Sequence, residues 1–138
     1  MKSEELVGQL LIIIILFLTI ISCTKDSFEP LRKYGYEQVV IIPMNGCQSC
    51  IAGPINSLKR EERNSNSTLF VVTYIPDRQM PFIILGDEID SAPNVVLDWN
   101  NEYIKMLNED LNPILHSFAE NTTIDIKSVQ QWKNLHSH

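Results

Sequence analysis

Val39-Val40-Ile41-Ile42-Pro43-Met44-Asn45-Gly46-Cys47-Gln48-Ser49-Cys50 is the stretch on which the reading of the fold turns. Four β-branched residues in succession suit a strand buried on both faces, as in the middle of an α/β sheet. The extended reading runs from Tyr36 to Pro43. Beyond Cys50, Ile51, Ile55 and Leu58 recur at helical spacing, and Lys59 to Arg63 form a solvated end. The C-x-x-C pattern of Cys47 and Cys50 therefore lies between a buried strand and the start of a helix.

The rest of the chain extends this pattern. Asn64 to Ser67 read as a loop, and Thr68 to Ile75 (TLFVVTYI) as a second strong strand candidate, broken by Pro76 to Pro81. Phe82 to Leu85 are too few for periodicity to decide between strand and helix, and read as an irregular crossover with room for one helical turn. Asn94 to Asp98 read as a short strand. Asn100 can cap a helix whose inner face is Tyr103, Ile104, Leu107 and Leu111, ended by Asn112-Pro113. Ile114 to Phe118 and Ile124 to Ile126 read as a hairpin turning at Glu120-Asn121-Thr122. Ser128 and Gln131 match a capping box for a last short helix with Trp132 and Leu135 inward. This β-α-β-crossover-β-α-β-β-α order predicts an α/β fold, a mixed central sheet with helices on both faces.

The chain has 138 residues, a net charge of −6 and three cysteines. Its length holds one domain. A pI near 4.9 speaks against nucleic acid as a partner, since phosphates are held by clustered Lys and Arg. Leu6 to Ile21 form a nearly unbroken apolar run that is shorter than the roughly 20 residues of a spanning helix. Its length and position suit the h-region of a secretory signal. The run ends in Ile20-Ile21-Ser22-Cys23, which resembles the lipobox of bacterial lipoproteins. That resemblance implies a signal peptide over residues 1–22 and a lipid on Cys23. A tether over 23–35 and a domain over 36–138 would follow. The segment MKSEE is nearly neutral where signals usually begin positive, so the alternative is an uncleaved signal anchor with Cys23 incidental. Lys2, Glu4 and Glu5 lie in the first 22 residues, so the remainder has 10 basic and 15 acidic residues, net −5. Either way the domain is expected to be exported and to sit beside a membrane.

In an exported domain, Cys47 and Cys50 can bridge. A cysteine at a helix N-terminus gains from unpaired N–H groups and the helix dipole, which favour the nucleophilic thiolate. Cys47 would attack a partner disulfide and Cys50 would resolve the mixed disulfide. A static structural bridge is the main alternative. A zinc site lacks its second pair of ligands, because the histidines are His116, His136 and His138 and the last two are terminal. His116, in a predicted strand, reads as a partly buried side chain. A Cu(I) carrier using Cys47, Cys50 and His116 is the remote alternative. No metal and no organic cofactor is expected. The sequons Asn66-Ser67-Thr68 and Asn121-Thr122-Thr123 read as incidental loops, and Asp90-Ser91-Ala92 resembles a bacterial O-glycosylation site.

The strand VVIIP leading into Gly46-Cys47-Gln48-Ser49-Cys50, the later Pro113 before a hairpin, and the final helix together resemble the thioredoxin-like superfamily. The added stretch NVVLDWNNEYIKMLNED looks more like the membrane-tethered TlpA/ResA type than like minimal thioredoxin. The resemblance covers about residues 36–135 and implies a three-layer sandwich that exchanges electrons with protein thiols or disulfides. It also implies a cis Asn112-Pro113 bond against the dithiol, with backbone at Asn112 pairing with a substrate strand. The plain alternative for Pro113 is a helix-ending proline. Together with the lipobox resemblance at Cys23, the family resemblance implies a protein lipid-anchored in the bacterial envelope, with the outer membrane, on its periplasmic or surface face, as the expected site. The sequence departs from the family in having Gly46 in place of Trp, Gly53 in place of a helper Glu, and Pro54 one residue early.

Overall fold

The computed structural model describes residues 7–15, 27–60 and 65–136. The chain divides into two units, Met1–Pro30 and Leu31–His138. In the first, residues 7–15 form a helix (α1) whose apolar side chains, Val7 and Leu10 to Ile15, are exposed. No helix among the described residues is long and apolar enough to cross a membrane. Cys23, the rest of the tether up to residue 26, the loop residue Asn64 and His138 lie outside the described residues.

Five strands form one mixed sheet: β1 (Gln38–Pro43), β2 (Thr68–Thr73), β3 (Val95–Leu97), β4 (Ile114–Ser117) and β5 (Thr122–Asp125). Their order is β3-β2-β1-β4-β5, with β1, β2 and β3 parallel and β4 antiparallel to both of its neighbours, β1 and β5. The helices are α2 (Glu29–Arg32), α3 (Gln48–Arg60), α4 (Met80–Leu85) and α5 (Val129–Leu135). This is the expected mixed α/β architecture, and it is compatible with a thioredoxin-like sandwich.

The β-branched runs take the centre because they can be buried on both sides. Every residue of β2 and all but the first of β1 are buried. Val40, Ile42, Phe70, Val72 and Leu115 face a core completed by Ile51, Ile55 and Leu58 of α3, Leu85 of α4 and Trp132 of α5. The alternate residues, Val39, Ile41, Leu69, Val71, Ile114 and His116, are buried on the other face. There α2 contributes Arg32, whose guanidinium lies 5.1 Å from the centre of the Phe118 ring. Ser128 caps α5 as expected, accepting from Gln131 N at 3.1 Å. In return Gln131 Oε1 accepts from Lys127 N at 2.8 Å rather than from the N–H of the cap residue itself.

The helix expected over Tyr103 to Leu111 is absent. That segment is turns, with a single 3₁₀ turn at Ile104–Met106. The segment is anchored at its start by Asp98, a buried carboxylate at the end of β3. Its Oδ1 accepts from Glu102 N and its Oδ2 from Tyr103 N, both at 2.9 Å, and Oδ2 also accepts from Thr73 Oγ1 at 2.7 Å. Asn101 and Leu111 have φ of 57° and 51°, left-handed values that interrupt any helix. Asn108 Oδ1 then accepts from Asn112 N at 3.4 Å, and Asn108 Nδ2 donates to Asp125 at 2.7 Å. The Asn108 side chain has taken the Asn112 amide that a helix would have bonded to the Asn108 carbonyl. By contrast Phe82 to Leu85 belong to a true helical element, α4.

Tyr103, buried in this crossing, has its phenol held above the ordinary value of 10.0. Burial is the main cause, with Tyr34, Glu102 and Asp98 adding to it. A phenol whose folded value is raised keeps its stabilising contribution up to about pH 10 and loses it as pH rises through the folded value. Tyr103→Phe is therefore expected to flatten the fall in urea midpoint above pH 10, read by comparing both proteins at pH 9 and 11.

Candidate functional site

The three parallel strands end on one edge of the sheet, where the β1–α3 connection carries the dithiol. Met44 N donates to Thr73 O at 2.9 Å, tying the connection to the end of β2. Cys47 then acts as the N-terminal boundary residue of α3: its carbonyl accepts from Cys50 N and from Ile51 N, each at 3.0 Å. Cys47 and Cys50 are joined by a disulfide with Cα atoms 5.2 Å apart. The two sulfurs are unequal. Cys47 is half-buried, with Sγ 3.3 Å from Ser49 Oγ, whereas Cys50 is only 4% exposed, with Sγ 3.6 Å from the Lys127 carbonyl oxygen.

Two glycines shape the surroundings. A Cβ on Gly46 would lie 2.5 Å from the Leu111 carbonyl oxygen and 2.8 Å from Pro43 Cγ. A backbone oxygen cannot give way, so the tryptophan of the family pattern has no room here. The same contact places the chain just before Pro113 against the residue preceding Cys47. A Cβ on Gly53 would lie 2.8–2.9 Å from Cβ, Cγ and Cδ1 of Trp132. Trp132 sits across α3 at this point and donates from Nε1 to Ser57 Oγ at 2.8 Å. Gly53 thus holds the α3–α5 packing, and a glutamate at 53 would displace that packing. Pro54 lies inside α3 without breaking it. Having no N–H, it leaves the Cys50 carbonyl without its usual helical donor.

The Asn112-Pro113 bond is trans, contrary to the cis bond implied by the family resemblance. Asn112 is buried, with its N–H engaged by Asn108, and the Pro113 carbonyl accepts from Ile126 N at 2.8 Å. Leu111 is the residue of this segment whose carbonyl meets the Cys47 side of the site. His116 is not part of the site. It pairs with Val39 at the opposite end of β1, its Nδ1 is 2.9 Å from Thr123 Oγ1, and it is buried. Four residue steps of strand lead from Val39 to Pro43, about 13 Å. A Cys47–Cys50–His116 copper set is therefore not assembled. Among the described residues no group of three or more His, Cys, Asp or Glu side chains could hold a metal ion.

A groove of about 340 Å³ opens beside the dithiol between α3 and α4. Its lining includes Met44, Asn45, Gln48, Ile51, Met80 and Ile84. Asn45 and Gln48 flank Gly46-Cys47 in the chain, so the groove adjoins the dithiol loop, while neither cysteine lines it. The sequence reading assigned none of these residues to a binding site. The signal was available in Met80-Pro-Phe-Ile-Ile-Leu85, a short segment with no polar side chain to turn toward water.

No family model, curated protein or solved structure matches the chain.

Proposed function

We propose that this protein is a thiol–disulfide exchange protein of the bacterial envelope, tethered to the membrane through Cys23 in the manner of the TlpA/ResA type. The observation that carries the reading is the inequality of the two sulfurs at a helix start. Cys47 is the accessible one, beside the N–H groups of the first turn of α3, which favour its thiolate. Cys50 is buried against the Lys127 carbonyl, an acceptor that in the dithiol form favours a protonated thiol.

In the reducing direction the Cys47 thiolate attacks one sulfur of a partner disulfide, and the partner's other sulfur leaves as a thiolate. The Cys50 thiol gives up its proton and its sulfur attacks Cys47 Sγ. The mixed disulfide breaks, the partner's second thiolate leaves, and the Cys47–Cys50 bridge remains. Two electrons have passed to the partner, and the reverse sequence oxidises a dithiol. The apolar run at 6–21 and the lipobox-like end at Cys23 support the envelope and the lipid anchor.

A static bridge on the same fold is the second reading. It is favoured by the absence, among the described residues, of a carboxylate or imidazole hydrogen-bonded to either sulfur. Exchange with a glutathionylated peptide separates the two. The reduced full chain is expected to deglutathionylate the peptide, with at least a hundredfold loss in Cys47→Ser. Equal rates in the two proteins would sink the exchange reading.

A further inference from the structure

α4 is apolar on all sides, yet it lies at the surface. Ile83 is 78% exposed, and Met80, Phe82 and Ile84 are only partly buried. A helix that is apolar all round belongs in an interior. One flank has a partner on this chain: Phe82 stacks on Trp99 at 6.3 Å, and the Arg78 guanidinium lies 5.9 Å from the Trp99 ring centre. The other flank, Met80 and Ile84, forms a wall of the groove that is also lined by Asn45 and Gln48, on either side of Gly46-Cys47 in the chain.

We infer that this groove is the specificity subsite for the exchange partner, and that it takes a bulky apolar side chain next to the partner's reacting cysteine. The inference rests on the reading of Cys47 as the attacking sulfur. That reading fixes the kind of occupant, because whatever is bonded to Cys47 continues across its neighbours Asn45 and Gln48. Successive residues of an extended peptide lie about 3.3–3.6 Å apart, so the first or second residue beside the partner cysteine reaches the groove. The lining has the chemistry of a peptide site. Asn45, Gln48 and Asn56 are carboxamides, each able to donate to and accept from a peptide backbone. Ile51, Met80 and Ile84 supply an apolar floor and wall, and among the described residues no charged side chain lines the groove. A thioether such as that of Met80 adapts to side chains of different shape. The volume is at the lower end of clefts that enclose a ligand, about 300–1,000 Å³.

The test uses the reduced full chain in phosphatidylcholine vesicles. The probes are two peptides whose single cysteine carries 2-nitro-5-thiobenzoate, with leucine on both sides of it in one and serine in the other. Attack by Cys47 on the peptide sulfur releases coloured nitrothiobenzoate, and Cys50 then frees the peptide as its thiol. The leucine peptide is expected to react at least tenfold faster in kcat/KM, since burying one such side chain is worth that factor. In Ile84→Asp the ratio of the two rates should fall toward one. A ratio near one in the wild type overturns the subsite while leaving exchange intact. An unchanged ratio in a folded Ile84→Asp protein does the same. If the wild type reacts with neither peptide nor with hydroxyethyl disulfide, the exchange reading itself fails and the subsite fails with it.

Discussion

Cys50→Ser is expected to convert the protein from one that turns over into one that stalls as a covalent adduct. With a hydroxyl in place of the Cys50 thiol, no sulfur is left to attack Cys47 Sγ, so the mixed disulfide formed at Cys47 persists. Mass spectrometry after incubation with a disulfide-bonded protein should show nearly stoichiometric adduct in Cys50→Ser. Little should appear in the wild type and none in Cys47→Ser. The asymmetry follows from position: Cys50 is 4% exposed and backed by Lys127, where a macromolecular partner cannot reach it. Equal adduct in Cys47→Ser and Cys50→Ser would mean that both sulfurs are open to partners, which this geometry forbids.

The second large effect concerns stability. Gly53→Ala places a methyl group in the middle of a 13-residue helix, and propensity alone would favour it by about 1 kcal/mol. Packing opposes it. The added Cβ meets the root of the Trp132 side chain at 2.8 Å, where no rotamer change relieves the contact. Overpacking of this kind costs about 1–3 kcal/mol, so Gly53→Ala is expected to be destabilising by up to about 2 kcal/mol. Gly53→Leu should cost more, about 3–4 kcal/mol, because Trp132 must leave a site where it is 3% exposed. Urea unfolding followed by tryptophan fluorescence measures both. A domain of this size is stable by about 5–15 kcal/mol, so the leucine variant would lose a large share of it. An unchanged midpoint for Gly53→Leu would show that α5 does not lean on α3 at this glycine.

The legible and the illegible parts of this fold differ in the range of the interactions that decide them. Val39 to Ile42 and Thr68 to Val72 could be read because a buried strand needs only its own β-branched residues to declare it. The start of α3 at the dithiol and the Ser128–Gln131 cap were legible for the same reason, since each is decided within a few residues. Tyr103 to Leu111 misled because Tyr103, Ile104, Leu107 and Leu111 do have helical spacing. What departs from that spacing is the backbone, left-handed at Asn101 and Leu111, with the Asn112 amide bonded to the Asn108 side chain. The extra unit of NVVLDWNNEYIKMLNED is thus an edge strand followed by turns. In the site, Cys47 and Cys50 were legible from spacing, but their inequality was not, because Lys127 comes from far along the chain. Gly46 and Gly53 were visible only as departures from a family pattern. Leu111 and Trp132 explain them, and neither pairing leaves a local trace.

The most direct test of the central claim, that Cys47 is the attacking sulfur and Cys50 the shielded one, is the order of alkylation in the reduced protein. Limiting iodoacetamide at neutral pH, followed by peptide mass spectrometry, should label Cys47 many-fold faster than Cys50. Equal labelling of the two, or faster labelling of Cys50, would contradict the account.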